Sequence, residues 1–506
     1  MTAQVITTAS SLAPAYDIIV VGAGPAGLTA SIEAAANGVS VLVIDENSGL
    51  GGQMYRAITR LSPEIYRFLG PDYWQGTKLA GKFQSSPVSY ASRTTVWSLV
   101  RLEGVPSGGS EAGLEVGISL AGEARLLRAR HVILATGAIE RPMPFPGWTL
   151  PGVMTAGAGQ VALKSAGLVP EGKVVLAGCG PMLYLLAYQL LAAGARISAV
   201  LDITDRRQML KALPYLPDFT RSGYFWKGLK LLGKVLTSVR FVRGVTGLKA
   251  IGNGKVERIR FRTGRKWKEM DADLVMLHQG VVPEISLANS AGCEFAWNHR
   301  QLSFQPRLDG DGQTTVPGIS VAGDGAAIGG AALAEVWGRL AALGALADIG
   351  VINQARKAEL QRPLRHMVSR LQHGRPFLDI LYRPLEAFRI PAEDETIVCR
   401  CEGVQAGQIR SAIALGVPGP NQLKTFIRCG MGPCQGRLCS HTVTEMMAAG
   451  RKDEPQSIGA FRLRAPVKPI SLGEVASLFA QPVAPDFAGG TPPPRGSGNQ
   501  PSATPR

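Results

Sequence analysis

DIIVVGAGPAGLTASIEAAANGVSVLVID, residues 17–45, is the stretch that decides the fold. Residues 17–22 form a short, apolar, β-branched run of the kind that makes a fully buried parallel strand. Gly22, Gly24 and Gly27 follow in GAGPAG, and LTASIEAAAN then predicts a helix closed by Gly38. A second buried strand, VSVLVID, ends at Asp45, with Glu46 next to it. This is the dinucleotide fingerprint in its required context of strand, turn, helix and acid. Gly22 permits the tight turn, Gly24 lets backbone approach a pyrophosphate beside Pro25 and Ala26, and Gly27 allows close helix–strand packing. The helix N-terminus offers unpaired N–H groups and the positive end of a dipole to the phosphates. An acid at 45 accepts hydrogen bonds from an adenosine ribose.

Three later segments point to FAD rather than NAD at this first site, because they resemble flavoproteins with two dinucleotide-binding domains. GLGGQMYR at 49–56, with Gly52 and Gln53, stands where that class brings a loop over the pyrophosphate and isoalloxazine. HVILATGA at 131–138 is a strand ending in an Ala135-Thr136-Gly137 turn, and ISVAGDGA at 319–326 supplies Gly323 and Asp324 for the ribityl chain and phosphate. TTVWSL at 94–99, with Val96, falls where an adenine-contacting strand would lie.

KVVLAGCGPMLYLLAYQLLAAGARISAVLD at 173–202 repeats the first pattern 156 residues later, with one change. Gly178 and Gly180 match, but Leu183 stands at the third glycine position and should push helix and strand apart or alter the turn. Asp202 would repel a 2′-phosphate and argues against NADP. The unit is open to ATP, NADH or no nucleotide. Cys179 in its turn reads as a small buried residue, and His278 in LHQGVVPE as a packed or hydrogen-bonded one, although it could lie near the flavin. No C-x2-C or C-x4-C pair precedes position 399, which excludes the redox-active cysteine pair of the disulfide reductases.

At 506 residues the chain needs two or three cores, and 61 glycines suit many strand-to-helix turns. The 54 Lys and Arg against 38 Asp and Glu give a net charge of +16, scattered without the aromatic–basic interleaving of a nucleic-acid surface. No apolar run reaches the roughly 20 residues that span a bilayer, and residues 1–15 lack a signal-peptide pattern, so a cytoplasmic address is expected. The stretch 203–236 is basic and amphipathic, with Arg206, Arg207, Lys211, Lys227, Lys230 and Lys234 among apolar residues. It suits a subunit-docking lid, peripheral membrane contact or helices covering the second unit.

Five of the seven cysteines fall between 399 and 439, in VCRCEGV and RCGMGPCQGRLC. Thiolates this dense suit soft-metal chemistry, and four are needed in one pocket. The spacing resembles [2Fe–2S] domains of the bacterioferritin-associated-ferredoxin (BFD) type, with QIRSAIALG and NQLKTFIR as short helices and a third helix from near Arg437. Four thiolates suit zinc equally; a flavin upstream favours iron–sulfur, since zinc passes no electrons.

From GAGPAG through GGQMYR, FPGWTLPGVMTAGAGQ, VAGDGAAIGG, CRCEGV and RCGMGPCQG to RAPVKPISLGE, most of residues 15–480 are similar to one family. It comprises the flavin and iron–sulfur subunits of opine oxidases, hydrogen cyanide synthase and heteromeric D-hydroxyproline or proline dehydrogenases. The resemblance implies an α/β flavoprotein of two Rossmann-like units with a small C-terminal helical BFD-like domain. It implies cluster ligands Cys399, Cys401, Cys434 and Cys439, although Cys429 with Cys434 is also a C-x4-C pair. It further implies a partner flavoprotein subunit of the D-amino-acid-oxidase type, which takes hydride from an amine-bearing carbon, and in some relatives a small ferredoxin-like third subunit. The expected domains are 15–160 and 281–350 for FAD, 161–280 for the second Rossmann-like unit and 351–395 as a helical linker. The cluster domain takes 396–450, an extension 451–487 and a disordered tail 488–506. Pro363, Pro376, Pro384 and Pro391 are expected to break the linker's helical pattern, and residues 462–475 to fold back on the flavin domain. No general base for amine oxidation, and no Ser/His/Asp arrangement, is evident from spacing. The leading function is electron transfer within a heteromeric amine or amino-acid dehydrogenase. The alternatives are an autonomous NADH-dependent ferredoxin-type reductase and a non-catalytic assembly or iron-handling partner.

Overall fold

Strand Ala15–Val21, helix Pro25–Ala35 and strand Val41–Asp45 form where the fingerprint predicts them. The structure is a computed structural model that describes residues 2–104 and 112–479. The first helix ends at Ala35, short of Gly38, which takes a φ of +80° in the turn beyond. Ala15–Val21 lies at the centre of an eight-stranded sheet, parallel to Val41–Asp45 on one side and to Glu123–Leu134 on the other. Glu123–Leu134 also pairs in parallel with Ile319–Val321, which brings a segment some 300 residues distant into the first unit. An antiparallel meander of Thr94–Arg101, Leu114–Leu120 and Glu123–Leu134 completes that side.

The buried apolar run of the first strand is explained by its two covered faces. Ile18 and Val20 meet helix residues Leu28, Ala30 and Ala34, while Ile19 and Val21 face the meander with Val96, Val116 and Ile118. Each such side chain contributes about 1.5–3 kcal/mol when fully buried.

The second unit is a five-stranded parallel sheet in the order Phe241–Arg243, Ile197–Asp202, Val174–Gly178, Leu274–His278 and Val153–Thr155. A three-stranded antiparallel meander over 245–271 packs on one face through Val245, Leu248 and Phe261. Leu183, Tyr184 and Leu186 of helix Pro181–Ala192 pack beside Val174 and Leu176 on the other. Strands Ala138–Glu140 and Val281–Pro283 pair where the chain passes between the units. The basic insertion forms helices Arg206–Ala212, Leu216–Arg221 and Gly223–Ser238. Met209, Leu210, Trp226 and Leu229 are exposed there among the lysines.

In the linker, Pro363 does not break the pattern as expected: it lies inside the 19-residue helix Gln354–Gln372. Tertiary anchors offset the missing N–H, because Leu364 is buried and Arg365 bonds Asp311. Pro376 occupies the first turn of helix Arg375–Leu381, where no N–H is needed. The cluster domain has helices Ala406–Ala414, Pro420–Ile427 and Ser440–Arg451. The last begins at Ser440 rather than near Arg437, because Gln435 and Gly436 take φ of +49° and +86° and close a tight turn first. Beyond it the chain runs back along the first sheet: Val467 N–H donates to Trp97 O at 2.8 Å, and Ala124 N–H to Ser477 Oγ at 2.9 Å. Lys468 pairs with Glu46. The expected disordered tail, 488–506, lies outside the described residues. Among those described, no helix is long and apolar enough to cross a membrane.

Candidate functional site

The carboxyl end of Ala15–Val21 gathers four segments that are far apart in sequence. Gly22 has φ +110°, and a Cβ there would lie 2.4 Å from Ala135 O, so the glycine turn rests directly on the Ala135-Thr136-Gly137 turn. A Cβ on Gly27 would lie 1.8 Å from Gly22 O; only glycine lets the helix start this close to the strand. Gly52 faces Gly24, with 2.8 Å between its Cβ position and Gly24 Cα. Gly323 approaches Ala26 in the same way. Asp324 Oδ1 accepts from Gly329 N–H at 2.9 Å and Gly330 N–H at 3.0 Å, capping the turn into helix Ala331–Asp348. Pro25 and Ala26 open the first helix and are buried.

Asp45 reaches this turn but is held by backbone. Its Oδ2 accepts from Ala23 N–H at 2.6 Å and its Oδ1 from Asn47 N–H at 2.7 Å. Burial raises its pKa against those bonds. Glu46 is directed outward to Lys468. Val96 is buried in the apolar cluster behind the sheet, so only its backbone could meet an adenine. Gln53 O and Met54 O both accept from Lys164 Nζ, at 3.1 and 3.0 Å. Burial lowers the Lys164 pKa to about 7. A lone lysine in the small-residue run AGAGQVALKSA was the missed signal for this support.

The second glycine turn has a different neighbour. Gly178, at φ +145°, rests on His278 O, while Tyr382 Cβ and the His278 ring lie within 4.0 Å of where a Gly180 Cβ would be. Tyr184 and Tyr382 rings meet at 5.9 Å. Asp202 Oδ1 accepts from Tyr184 OH at 3.1 Å and Thr204 Oγ1 at 2.6 Å. Cys179 is buried, with its thiol pKa pushed up by that burial, and its Sγ contacts Tyr382 O at 3.6 Å. Leu183 is fully buried in the first turn of the helix. His278 Nδ1 bonds Glu140 Oε1 at 2.7 Å, tying the two units together.

In the cysteine segment, Cys399, Cys429 and Cys439 are buried with their sulfurs all within 4.8 Å of one another. Cys401 is exposed and Cys434 half-buried, and these two bond each other. A Cβ on Gly432 would strike Cys401 Cβ at 2.2 Å, so the RCGMGPC loop closes tightly over the C-x-C pair. The thiol of Cys429, and then that of Cys439, hydrogen-bonds Cys399 and holds its pKa far below the usual thiol value. The structure thus brings Cys399 and Cys439 of the expected ligand set together with Cys429, and sets Cys401 and Cys434 beside them as a separate, more exposed pair. Thiols gathered so closely suit an iron–sulfur cluster.

The two candidate sites meet through one residue absent from the sequence-based set. Glu284 N–H donates to Gly137 O at 2.9 Å, and Thr136 Oγ1 donates to Glu284 O at 3.2 Å. Its carboxylate stands 3.9 Å from Arg437 Nε, two residues before Cys439. The lone acid closing the apolar VVP run was its only trace in sequence. A Ser-His-Asp arrangement also exists: His131 bonds Ser320 Oγ at 2.7 Å and Asp348 Oδ2 at 3.0 Å. Ser320 and His131 are fully buried between strand and helix, which makes the trio a core tie without substrate access.

The family models agree with both sites. Residues 16–361 match the pyridine nucleotide-disulphide oxidoreductase model, and residues 397–449 the BFD-like [2Fe–2S] binding domain. The chain belongs to the pyridine nucleotide-disulphide oxidoreductase family. It is 52% identical to an opine oxidase subunit of Agrobacterium tumefaciens over 94% of this chain and 95% of that one. It is 31% identical to hydrogen cyanide synthase subunit HcnB of Pseudomonas aeruginosa over 91% and 98%. It therefore also belongs with these oxidase subunits. The structure of L-proline dehydrogenase from P. horikoshii shares the fold, with a TM-score of 0.65 at 19% identity, over 94% of this chain and 80% of that one. Family and thiol nest together assign FAD and a [2Fe–2S] cluster as cofactors. The protein is an oxidoreductase of the class acting on C–N donors, and these relatives are named as subunits, one of an opine oxidase and one of hydrogen cyanide synthase.

Proposed function

We propose that the chain is the electron-transferring FAD and [2Fe–2S] subunit of a cytoplasmic heteromeric dehydrogenase that oxidises an amino-acid-derived amine: an opine, D-hydroxyproline, proline or glycine. The observation that carries this reading is the Glu284 bridge, which joins the flavin-side turn to the cysteine loop within one chain. Gly22, Gly24, Gly27, Gly52, Gly137, Gly323 and Asp324 would hold the FAD, and Cys399, Cys401, Cys434 and Cys439 the cluster. When bound, the flavin takes up an electron pair and the cluster passes electrons singly. The chain's own residues shape the two sites and keep them adjacent.

Substrate oxidation is assigned to a partner flavoprotein subunit of the D-amino-acid-oxidase type, joined in some complexes by a small ferredoxin-like subunit. The autonomous NADH reductase is disfavoured because Tyr382 lies against Gly180 and Asp202 is occupied by Tyr184 and Thr204. On the same reading we assign 15–160 and 281–350 to FAD, 161–280 to the second unit, whose sheet Val153–Thr155 also joins, 351–395 to the linker and 396–450 to the cluster domain.

An anaerobic visible spectrum tests the proposal. NADH should leave the flavin and cluster bands of the isolated chain oxidised, whereas the co-purified complex should bleach with its amine substrate. Prompt bleaching of the isolated chain by NADH would overturn it.

A further inference from the structure

Three segments of the molecule converge on Glu445, one helical turn and a half beyond Cys439. Glu445 lies on helix Ser440–Arg451 of the cluster domain, and its side chain is only 4% exposed. Its Oε2 pairs with Arg389 of the linker. Its Oε1 stands 3.7 Å from Nη1 of Arg141, which follows strand Ala138–Glu140 of the flavin unit and is equally buried. Arg141 is fixed from the other side, donating through Nη2 to Gln301 O at 2.7 Å and through its backbone N–H to Gly280 O at 3.0 Å. Its Nε and Nη1 have no hydrogen-bond partner. His441, one turn before Glu445, is buried as well, and an imidazole offers no negative charge to either guanidinium. One carboxylate therefore serves a buried guanidinium, Arg141, and a partly exposed one, Arg389, drawn from two other segments.

We propose that Glu445 is a positioning residue: it seats the cluster-bearing helix on the flavin unit and so sets the placement of Cys439 relative to the Thr136–Gly137 turn. Other ties cross the same seam. The Arg437–Glu284 pair is longer, at 3.9 Å, and more exposed; Trp148 Nε1 donates to Ile397 O at 2.7 Å, a neutral hydrogen bond that brings no counter-charge to Arg141. Without the Glu445 charge, Arg141 remains buried with no counter-charge and with the Arg389 charge nearby, and the seam must loosen to hydrate it. The consequence for electron passage rests on the relay function proposed above; the seating itself does not.

The test uses the full-length holoprotein carrying Glu445→Gln, with FAD, iron and sulfide contents measured first. With contents at the wild-type level, amide hydrogen exchange over 437–451 and 138–142 should rise at least about tenfold. Transfer from photoreduced flavin to the cluster should slow by a similar factor, and Glu445→Asp should recover part of both. Unchanged exchange in Glu445→Gln overturns the seating role. Raised exchange with unaltered transfer removes the positioning role. If the wild-type cluster takes no electrons from the flavin while the variant's exchange still rises, the relay reading fails and the seating stands. If Glu445→Gln does not fold, Glu445→Asp is measured instead; it keeps the charge but withdraws the carboxylate by one methylene from Arg141, and unchanged exchange at 437–451 overturns the proposal.

Discussion

Replacing Gly27 with alanine puts the flavin reading to a direct steric test. The added Cβ would fall 1.8 Å from Gly22 O, 3.0 Å from Gly22 C and 3.3 Å from Ala135 Cβ. Real Cβ contacts essentially never fall under 3.0 Å, and the closest atom is backbone, so the 1.8 Å gap must open by widening the turn. Gly22 cannot yield toward the sheet, because Ala135 O is 2.4 Å from its own Cβ position. Overpacking of this kind costs about 1–3 kcal/mol, and a shift of this size in a two-sided contact belongs at the upper end. In the free protein the turn can relax, whereas bound pyrophosphate requires the closed turn, so most of the cost falls on the complex. About 3 kcal/mol corresponds to roughly a hundredfold loss of FAD affinity. Flavin retained per chain after gel filtration, and titration of stripped protein by flavin fluorescence, read this out. Gly49→Ala is the control: nothing lies within 4 Å of its Cβ position and its backbone needs no positive φ, so it should bind normally. A Gly27→Ala protein that binds FAD within about threefold of wild type would refute the placement of the pyrophosphate on this turn.

Lys164 predicts a pH signature in stability. Its folded pKa is lowered to about 7 by burial from an ordinary 10.5. Below pH 7 it is protonated in both states and the full burial cost is present. Between about 7 and 10.5 the folded state sheds the proton while the unfolded chain keeps it, so stability rises with pH. From pH 7 to 9, wild type should gain about 2 kcal/mol relative to Lys164→Met in urea unfolding, and a pH-independent gap would contradict this. At the cysteines, Cys399→Ser or Cys439→Ser should abolish iron and sulfide binding, because both belong to the motif set and to the buried triad. Cys429→Ala should retain the cluster, and loss of iron there would make Cys429 a ligand in place of Cys401 or Cys434.

The first unit was legible in the sequence because each of its motifs encodes a local backbone geometry. Gly22 and Gly27 are required by contacts under 2.5 Å from their Cβ positions, and a buried strand needs apolar residues on both faces. Pro363 misled for the converse reason: its local cost is outweighed by the packing of Leu364 and the Arg365–Asp311 pair, which lie outside any helical pattern. The start of the last cluster helix was misread because Gln435 shows no sequence sign of its positive φ. Glu284, Arg141 and Glu445 escaped notice entirely. Each acts through a partner more than 140 residues away, and a single charged residue carries no periodicity to mark such a pairing.

The unequal fate of the two glycine turns follows from what each one faces. At the first, Gly24 and Gly52 leave backbone bare on both sides of a cleft, the condition for a pyrophosphate to approach. At the second, the linker takes that position: Tyr382 lies on Gly180, Gln279 Nε2 donates to Phe388 O at 3.0 Å, and Phe388 is buried in the core of the second unit. The change falls at the third position, which at the first turn serves close helix–strand packing, while Gly180 is kept. Leu183 there adds an apolar side chain to the core, worth about 1.5–3 kcal/mol when fully buried. The crevice at the carboxyl ends of the second sheet thus serves as the mounting for the segment that ends in Arg389, whose guanidinium meets Glu445 of the cluster domain. On this account Leu183 is no degenerate remnant of a nucleotide site. It belongs to a unit against which the linker packs, and that linker carries Arg389 to Glu445 of the cluster domain.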